Sequence, residues 1–115
     1  MYIKNTVAAI LISLCCNSCS SNKKANTDGW ISLFDGRSFA GWKVGDNAAS
    51  FTIENGAIAV NGNVAHLFYD GDVQQHQFKN FEFKASVMTL PGSNSGIYFH
   101  TTFQQGGRPQ KRYEV

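Results

Sequence analysis

The sequence predicts an all-β protein, and three observations carry that expectation. Short apolar–polar alternations recur along the chain, clearest in Phe51-Thr52-Ile53-Glu54 and Phe81-Glu82-Phe83-Lys84. Turn pairs separate them, Asn55-Gly56 above all, and no stretch shows a helical period. Successive side chains of a strand point to opposite faces, so a period of two marks a strand with one buried side. Several short strands divided by Gly and Asn turns read as a sandwich or a barrel.

Composition narrows the class. A chain of 115 residues holds one domain at most. A hydrophobic content of 43% is ordinary for a folded chain, so order is expected beyond the N-terminus. The formal net charge is +2, and only Lys23-Lys24 and Lys111-Arg112 are adjacent basic pairs. No basic stripe exists to track a phosphate backbone, so nucleic acid is not an expected partner.

The first residues read as a targeting segment. Lys4 supplies a positive charge, and residues 6–14 form an apolar run too short to span a bilayer, which needs about 20 residues. Leu14-Cys15-Cys16-Asn17-Ser18-Cys19 follows, in an order that resembles a bacterial lipoprotein signal. Cys19 is the expected lipidation site, because Ser18 precedes it and a polar tether follows; Cys16 is the runner-up. An ordinary secretory signal is the alternative. The expected organisation is therefore a signal over residues 1–18, a lipidated cysteine and tether over 19–28, and a folded domain over 29–115. A diacylated cysteine holds a soluble domain on a membrane, each buried methylene adding about 0.8 kcal/mol. All 3 cysteines precede the domain, which leaves it without a disulfide or a thiolate metal site.

The elements follow in order. Trp30-Ile31-Ser32-Leu33-Phe34 is a short apolar strand closed by the turn Asp35-Gly36. Gly41-Trp42-Lys43-Val44 is the second strand, and Gly45-Asp46-Asn47 is turn chemistry. Phe51-Thr52-Ile53-Glu54 and Ala57-Ile58-Ala59-Val60 flank Asn55-Gly56, the strongest short-range hairpin signal, since both turn positions need φ > 0. Residues 64–69 are a strand, and residues 74–79 show no clear pattern. Residues 81–88 alternate, with Phe81, Phe83, Ala85 and Val87 on the apolar side. After the turn at Leu90-Pro91-Gly92-Ser93, residues 96–101 return as the expected hairpin partner, with Tyr98 and His100 on one face and Ile97 and Phe99 on the other. A last strand opens at Tyr113-Glu114-Val115. With so few strands long enough to cover two inner sheet faces, further strands are expected beyond Val115. A complete small barrel is the alternative.

Five pieces in order resemble one family. Gly29-Trp30-Ile31-Ser32-Leu33-Phe34-Asp35-Gly36 followed by Gly41-Trp42 resembles the opening of the 3-keto-disaccharide hydrolase domain. The hairpin over residues 51–60, Asn80-Phe81-Glu82-Phe83, Asn94-Ser95-Gly96-Ile97-Tyr98-Phe99-His100 and Tyr113-Glu114-Val115 are similar to its later motifs. Arg112 departs from the glycine usual in the family. The resemblance runs over residues 29–115, about the first half of the family's domain. It implies a concanavalin-like jelly-roll β-sandwich, here cut short, in a lipid-anchored protein of the cell envelope, at the periplasmic or outer-membrane surface. The stretch is expected to be inactive and poorly stable by itself.

The resemblance also implies chemistry on 3-keto-glycosides. A ketone at C3 acidifies the hydrogen at C2. A base removes that proton, the glycosidic oxygen leaves from C1, and water adds back afterwards. This differs from ordinary glycosidases, which flank the bond with two carboxylates. Such a site needs a base, a donor for the enolate oxygen and an acid for the leaving group. His100 is the expected base, histidine being the side chain that exchanges a proton near neutral pH. Glu114 is the second expected catalytic residue. Asn94, Tyr98 and His66 are the expected substrate contacts, through hydroxyl hydrogen bonds or ring stacking. Each has a plainer reading: a strand histidine is often a surface residue, Tyr98 caps a sheet edge, and Trp30 and Trp42 belong to the core. No cofactor is expected, since no His/Cys/Asp cluster has ligand spacing; a divalent metal is left open. The expected partners are an oxidised di- or oligosaccharide and, through the anchor, a membrane. The competing class is a lectin-like carbohydrate-binding module that performs no chemistry, and a purely structural surface lipoprotein is a third reading.

Overall fold

A computed structural model describes residues 1–5, 25–110 and 113–114, with the backbone alone for Asn5, Tyr113 and Glu114. Among the described residues nine strands appear in chain order: β1 Tyr2–Asn5, β2 Ile31–Ser32, β3 Trp42–Val44, β4 Phe51–Glu54, β5 Ala57–Val60, β6 Leu67–Tyr69, β7 Phe81–Lys84, β8 Tyr98–Phe99 and β9 Tyr113–Glu114. Among the described residues the helical pieces are short: Ala48–Ser50 is a 3-10 turn, and Val73–His76 is kinked by left-handed backbone at Gln74 and Gln75. The class is all-β, as the alternation predicts. All ladders are antiparallel: β2-β1-β7 in one sheet, then the pairs β3-β6, β4-β5 and β8-β9.

The β4–β5 hairpin forms in the register that Asn55-Gly56 dictates, with Glu54 opposite Ala57 and Phe51 opposite Val60. Asn55 at φ 50° and Gly56 at φ 79° supply the two positive values such a turn requires. At the Asp35 turn, one carboxylate oxygen accepts from the amides of Arg37 and Ser38 at 2.8 Å, and the other takes the Ser38 hydroxyl at 2.7 Å. A short polar side chain folding back on its own backbone in this way is why Asp opens turns.

One expectation needs correction. The predicted hairpin between residues 81–88 and 96–101 does not form. β7 pairs with β1 and β8 pairs with β9. The two expected partners meet instead through side chains, Phe99 lying 5.7 Å from Phe81 and 5.4 Å from Phe83 between ring centroids. The turn itself is as expected, Ser93 N–H donating to the Leu90 carbonyl at 2.9 Å. Residues 74–79, patternless in sequence, include a kinked turn with Gln74, Gln75 and His76 all at positive φ.

The first residues also take part in the fold of the unprocessed chain. Tyr2–Asn5 is the middle strand of the three-stranded sheet. Ile3 stands opposite Ile31 on one side and Phe83 on the other, and is 2% exposed. Tyr2 and Ile3 are good strand formers, and an isoleucine delivered between two apolar edges buries there. Cys15, Cys16 and Cys19 lie outside the described residues, as does the rest of that segment. Among the described residues no helix is long and apolar enough to cross a membrane.

The core joins the sheets. Ile3, Leu33 and Val73 are buried, with Trp42, Tyr69, Phe78, Phe81 and Phe83 packed against them. Trp42 Nε1 donates to the Leu33 carbonyl at 3.0 Å, which ties β3 to the end of β2. Trp42 is therefore core, as expected. Trp30 is half-buried with the Lys84 ammonium 4.0 Å above its ring.

Candidate functional site

β6 divides the aromatic residues into two sets. Tyr69 turns inward, edge-on to Trp42 at 5.3 Å and tilted on Phe78 at 5.9 Å. Phe68, the next residue along the strand, turns to the opposite side and meets Phe103 edge-on at 5.2 Å. His66, two residues before Phe68, shares that outer side, its ring 6.4 Å from Phe68 and 5.8 Å from Tyr98. Lys43 is the register partner of Phe68, and its ammonium lies 3.9 Å from the Phe103 ring centre. The outer side thus presents Tyr98, His66, Phe68 and Phe103 in sequence, ending at a cation. All four rings are half-buried, each keeping an exposed part.

A small recess opens beside His66, lined also by Asp46, Gln104, Gln105 and the glycines at 45, 106 and 107. Backbone and side-chain hydrogen bonds hold its walls. Gly45 N–H donates to the His66 carbonyl at 3.1 Å, extending the β3–β6 ladder by one step. Gln105 Nε2 donates to the Gly45 carbonyl at 3.1 Å. Gln104 Nε2 donates to the carbonyls of Gly106 and Arg108, at 3.1 and 2.7 Å.

The expected site residues separate. His66 and Tyr98 come together, and register sets Glu114 opposite Tyr98 on β9. His100 does not continue the alternation: β8 ends at Phe99, and His100 takes φ 54°, a left-handed value that turns the chain out of the strand. It is exposed and lines a second, open groove with Phe78, Lys79, Asn80 and Phe81. Asn94 is exposed on the connection between β7 and β8. His76 forms an exposed pair with Asp70 at 3.8 Å, a surface contact of little energetic weight. Among the described residues no group of three His, Cys, Asp or Glu is placed to hold a metal ion.

Lys43, Asp46, Phe103 and the two glutamines were not singled out in the sequence. Lys43 had a readable signal, the polar position between Trp42 and Val44 on a strand. Phe103, Gln104 and Gln105 sit in a loop without period, and long-range contacts bring it to the recess: Phe103 on Phe68 and the bond from Gln105 to Gly45.

The arrangement defines an all-β domain with an aromatic outer face and a polar recess at one end. Residues 29–115 match the 3-keto-alpha-glucoside-1,2-lyase-like domain, and the chain belongs to that family. A curated relative, the 3-keto-disaccharide hydrolase of Bacteroides thetaiotaomicron, is 38% identical over 81 residues, a match covering 64% of this chain and 28% of the relative. The matched stretch therefore spans little more than a quarter of that protein. No solved structure shows significant similarity.

Proposed function

We propose that the chain forms the sugar-facing part of an enzyme that cleaves 3-keto-glycosides by elimination. The observation that carries this reading is the His66–Tyr98 ring pair, set on the outer face of a domain of this family. Aromatic rings with exposed faces suit the apolar side of a pyranose, and an imidazole beside them is the kind of base that C2 proton removal needs. In the proposed step the base takes the C2 proton. The C–H electrons form the C2–C3 double bond of an enolate, whose negative charge rests on the C3 oxygen. Collapse of the enolate expels the glycosidic oxygen from C1, and that oxygen leaves with a proton from an acid. Water then adds across the resulting double bond.

The geometry favours His66 over His100 as the base. His66 belongs to the aromatic face, whereas His100 lines a different groove. Tyr98 would donate its phenol hydrogen to the substrate, and Glu114, opposite it in register, remains the proposed acid. His100 keeps a second reading, because Lys79 and Asn80 beside it offer donors for an enolate oxygen. Cys19 is the proposed lipid anchor, locating the protein at the cell envelope.

The deciding experiment follows aglycone release from an aryl 3-keto-α-glucoside by the full-length protein. Loss of release in His66→Ala, with sugar binding retained, supports the assignment. Release that survives His66→Ala and disappears in His100→Ala moves the base to the second groove. Binding without release by the wild type favours the lectin-like module.

A further inference from the structure

Asp46 stands in the recess beside His66, and the local packing explains why it is there. A Cβ at Gly45 would lie 3.0 Å from the carbonyl oxygens of both Gln104 and Gln105, and one at Gly106 would fall on the Asp46 carboxylate. Neither glycine has a positive φ, so what both positions require is room rather than a special backbone conformation. Two bare Cα atoms therefore let the 104–107 loop close onto the end of β3, with the Asp46 carboxylate resting on Gly106.

The hydrogen-bonding capacity of the recess is unevenly committed. Gln104 Nε2 is engaged by two carbonyls, and Gln104 Oε1 accepts from the Gln110 amide at 3.3 Å. Gln105 Nε2 is engaged by the Gly45 carbonyl. These amides hold the loop. Asp46 is exposed, and among the described residues no cation lies within ion-pair distance of it. An ionised carboxylate is acceptor-only, with two oxygens that suit two neighbouring O–H donors.

We propose that Asp46 is a specificity-determining residue that accepts hydrogen bonds from two adjacent hydroxyls of the sugar ring next to the one seated on the His66–Tyr98 face, and so orients the glycosidic bond between them. The inference rests on the sugar-binding reading above, and its ligand class is a neutral pyranoside with a vicinal diol. For a disaccharide substrate, this is the unoxidised ring, because the ketone removes one hydroxyl from the other.

The test is calorimetric titration of the full-length protein with maltose, which has no ketone and cannot undergo the elimination. Asp46→Asn is expected to bind about tenfold more weakly, the scale of one lost charge-assisted contact. Gly106→Ala, which displaces the carboxylate without removing it, should weaken binding in the same direction. The penalty should shrink for a deoxy analogue lacking one hydroxyl of the pair. Unchanged maltose affinity in both variants overturns the role of Asp46 while leaving the face intact. No maltose binding by the wild type also overturns it, and aglycone release measured in parallel reports separately on the enzymatic reading. If one variant fails to fold by circular dichroism, the other decides.

Discussion

His66 and Tyr98 meet ring to ring, centroids 5.8 Å apart and planes at 48°, although one precedes β6 and the other opens β8. Neither residue's own strand neighbours bring it to the other. The contact exists because β6 turns His66 and Phe68 to the outer side while β8 directs Phe99 into the aromatic cluster with Phe81 and Phe83.

Removing one member of the pair should reduce sugar affinity with little effect on the fold. Tyr98→Ala is expected to weaken binding of a pyranoside by about tenfold, from lost ring contact and a lost phenol donor. Titration calorimetry measures this, and an unchanged Kd would remove Tyr98 from the site.

Ile3 provides a test of the N-terminal strand. It is 2% exposed and packs with Leu33 and Val73. In the unprocessed chain, Ile3→Ala should cost about 2–5 kcal/mol, the usual range for emptying a buried isoleucine site. Urea unfolding reads the loss. If the proposed leader is removed in cells, the same substitution should leave the processed protein's unfolding midpoint unchanged, because the residue is no longer present.

The β4–β5 turn carries a backbone requirement. Gly56 sits at φ 79°. Gly56→Ala should destabilise by about 1 kcal/mol through left-handed strain, and Gly56→Val by more. Thermal melts of the two variants should rank in that order; a Val variant as stable as wild type would mean that the hairpin contributes nothing to the measured transition.

Alkaline pH should weaken the fold through Tyr69. Burial raises its phenol above the ordinary value of 10.0; the Val73 N–H donated to its oxygen at 3.3 Å works the other way, and the Asp72 charge adds to the rise. The folded state therefore holds this proton more tightly than the unfolded chain. The associated stability is fully present below the unfolded value and disappears as pH rises through the folded one. Tyr69→Phe should flatten that alkaline decline while losing about 1 kcal/mol at neutral pH from the missing acceptor. Unfolding midpoints measured on either side of pH 10 distinguish the two slopes.

Local chemistry was legible wherever a short stretch decides its own shape. Asn55-Gly56 determined a hairpin, Asp35 a turn, and the alternation of Phe81 and Phe83 an inward face, because turn φ values and strand side-chain direction are set by a few neighbouring residues. The family motifs likewise identified the chain's relatives in residue order. Pairing was not legible in this way. Residues 81–84 offered an apolar edge that could take any complementary strand, and Tyr2–Asn5 took it in place of β8. The left-handed turn at His100 then broke an alternation that would have put it beside Tyr98. Only the tertiary structure decided that His66, not His100, joins Tyr98, and that the loop carrying Gln104 and Gln105 closes over Asp46. Those contacts depend on which sheets stack and which glycines leave room, and both are properties of the assembled chain rather than of any segment in it.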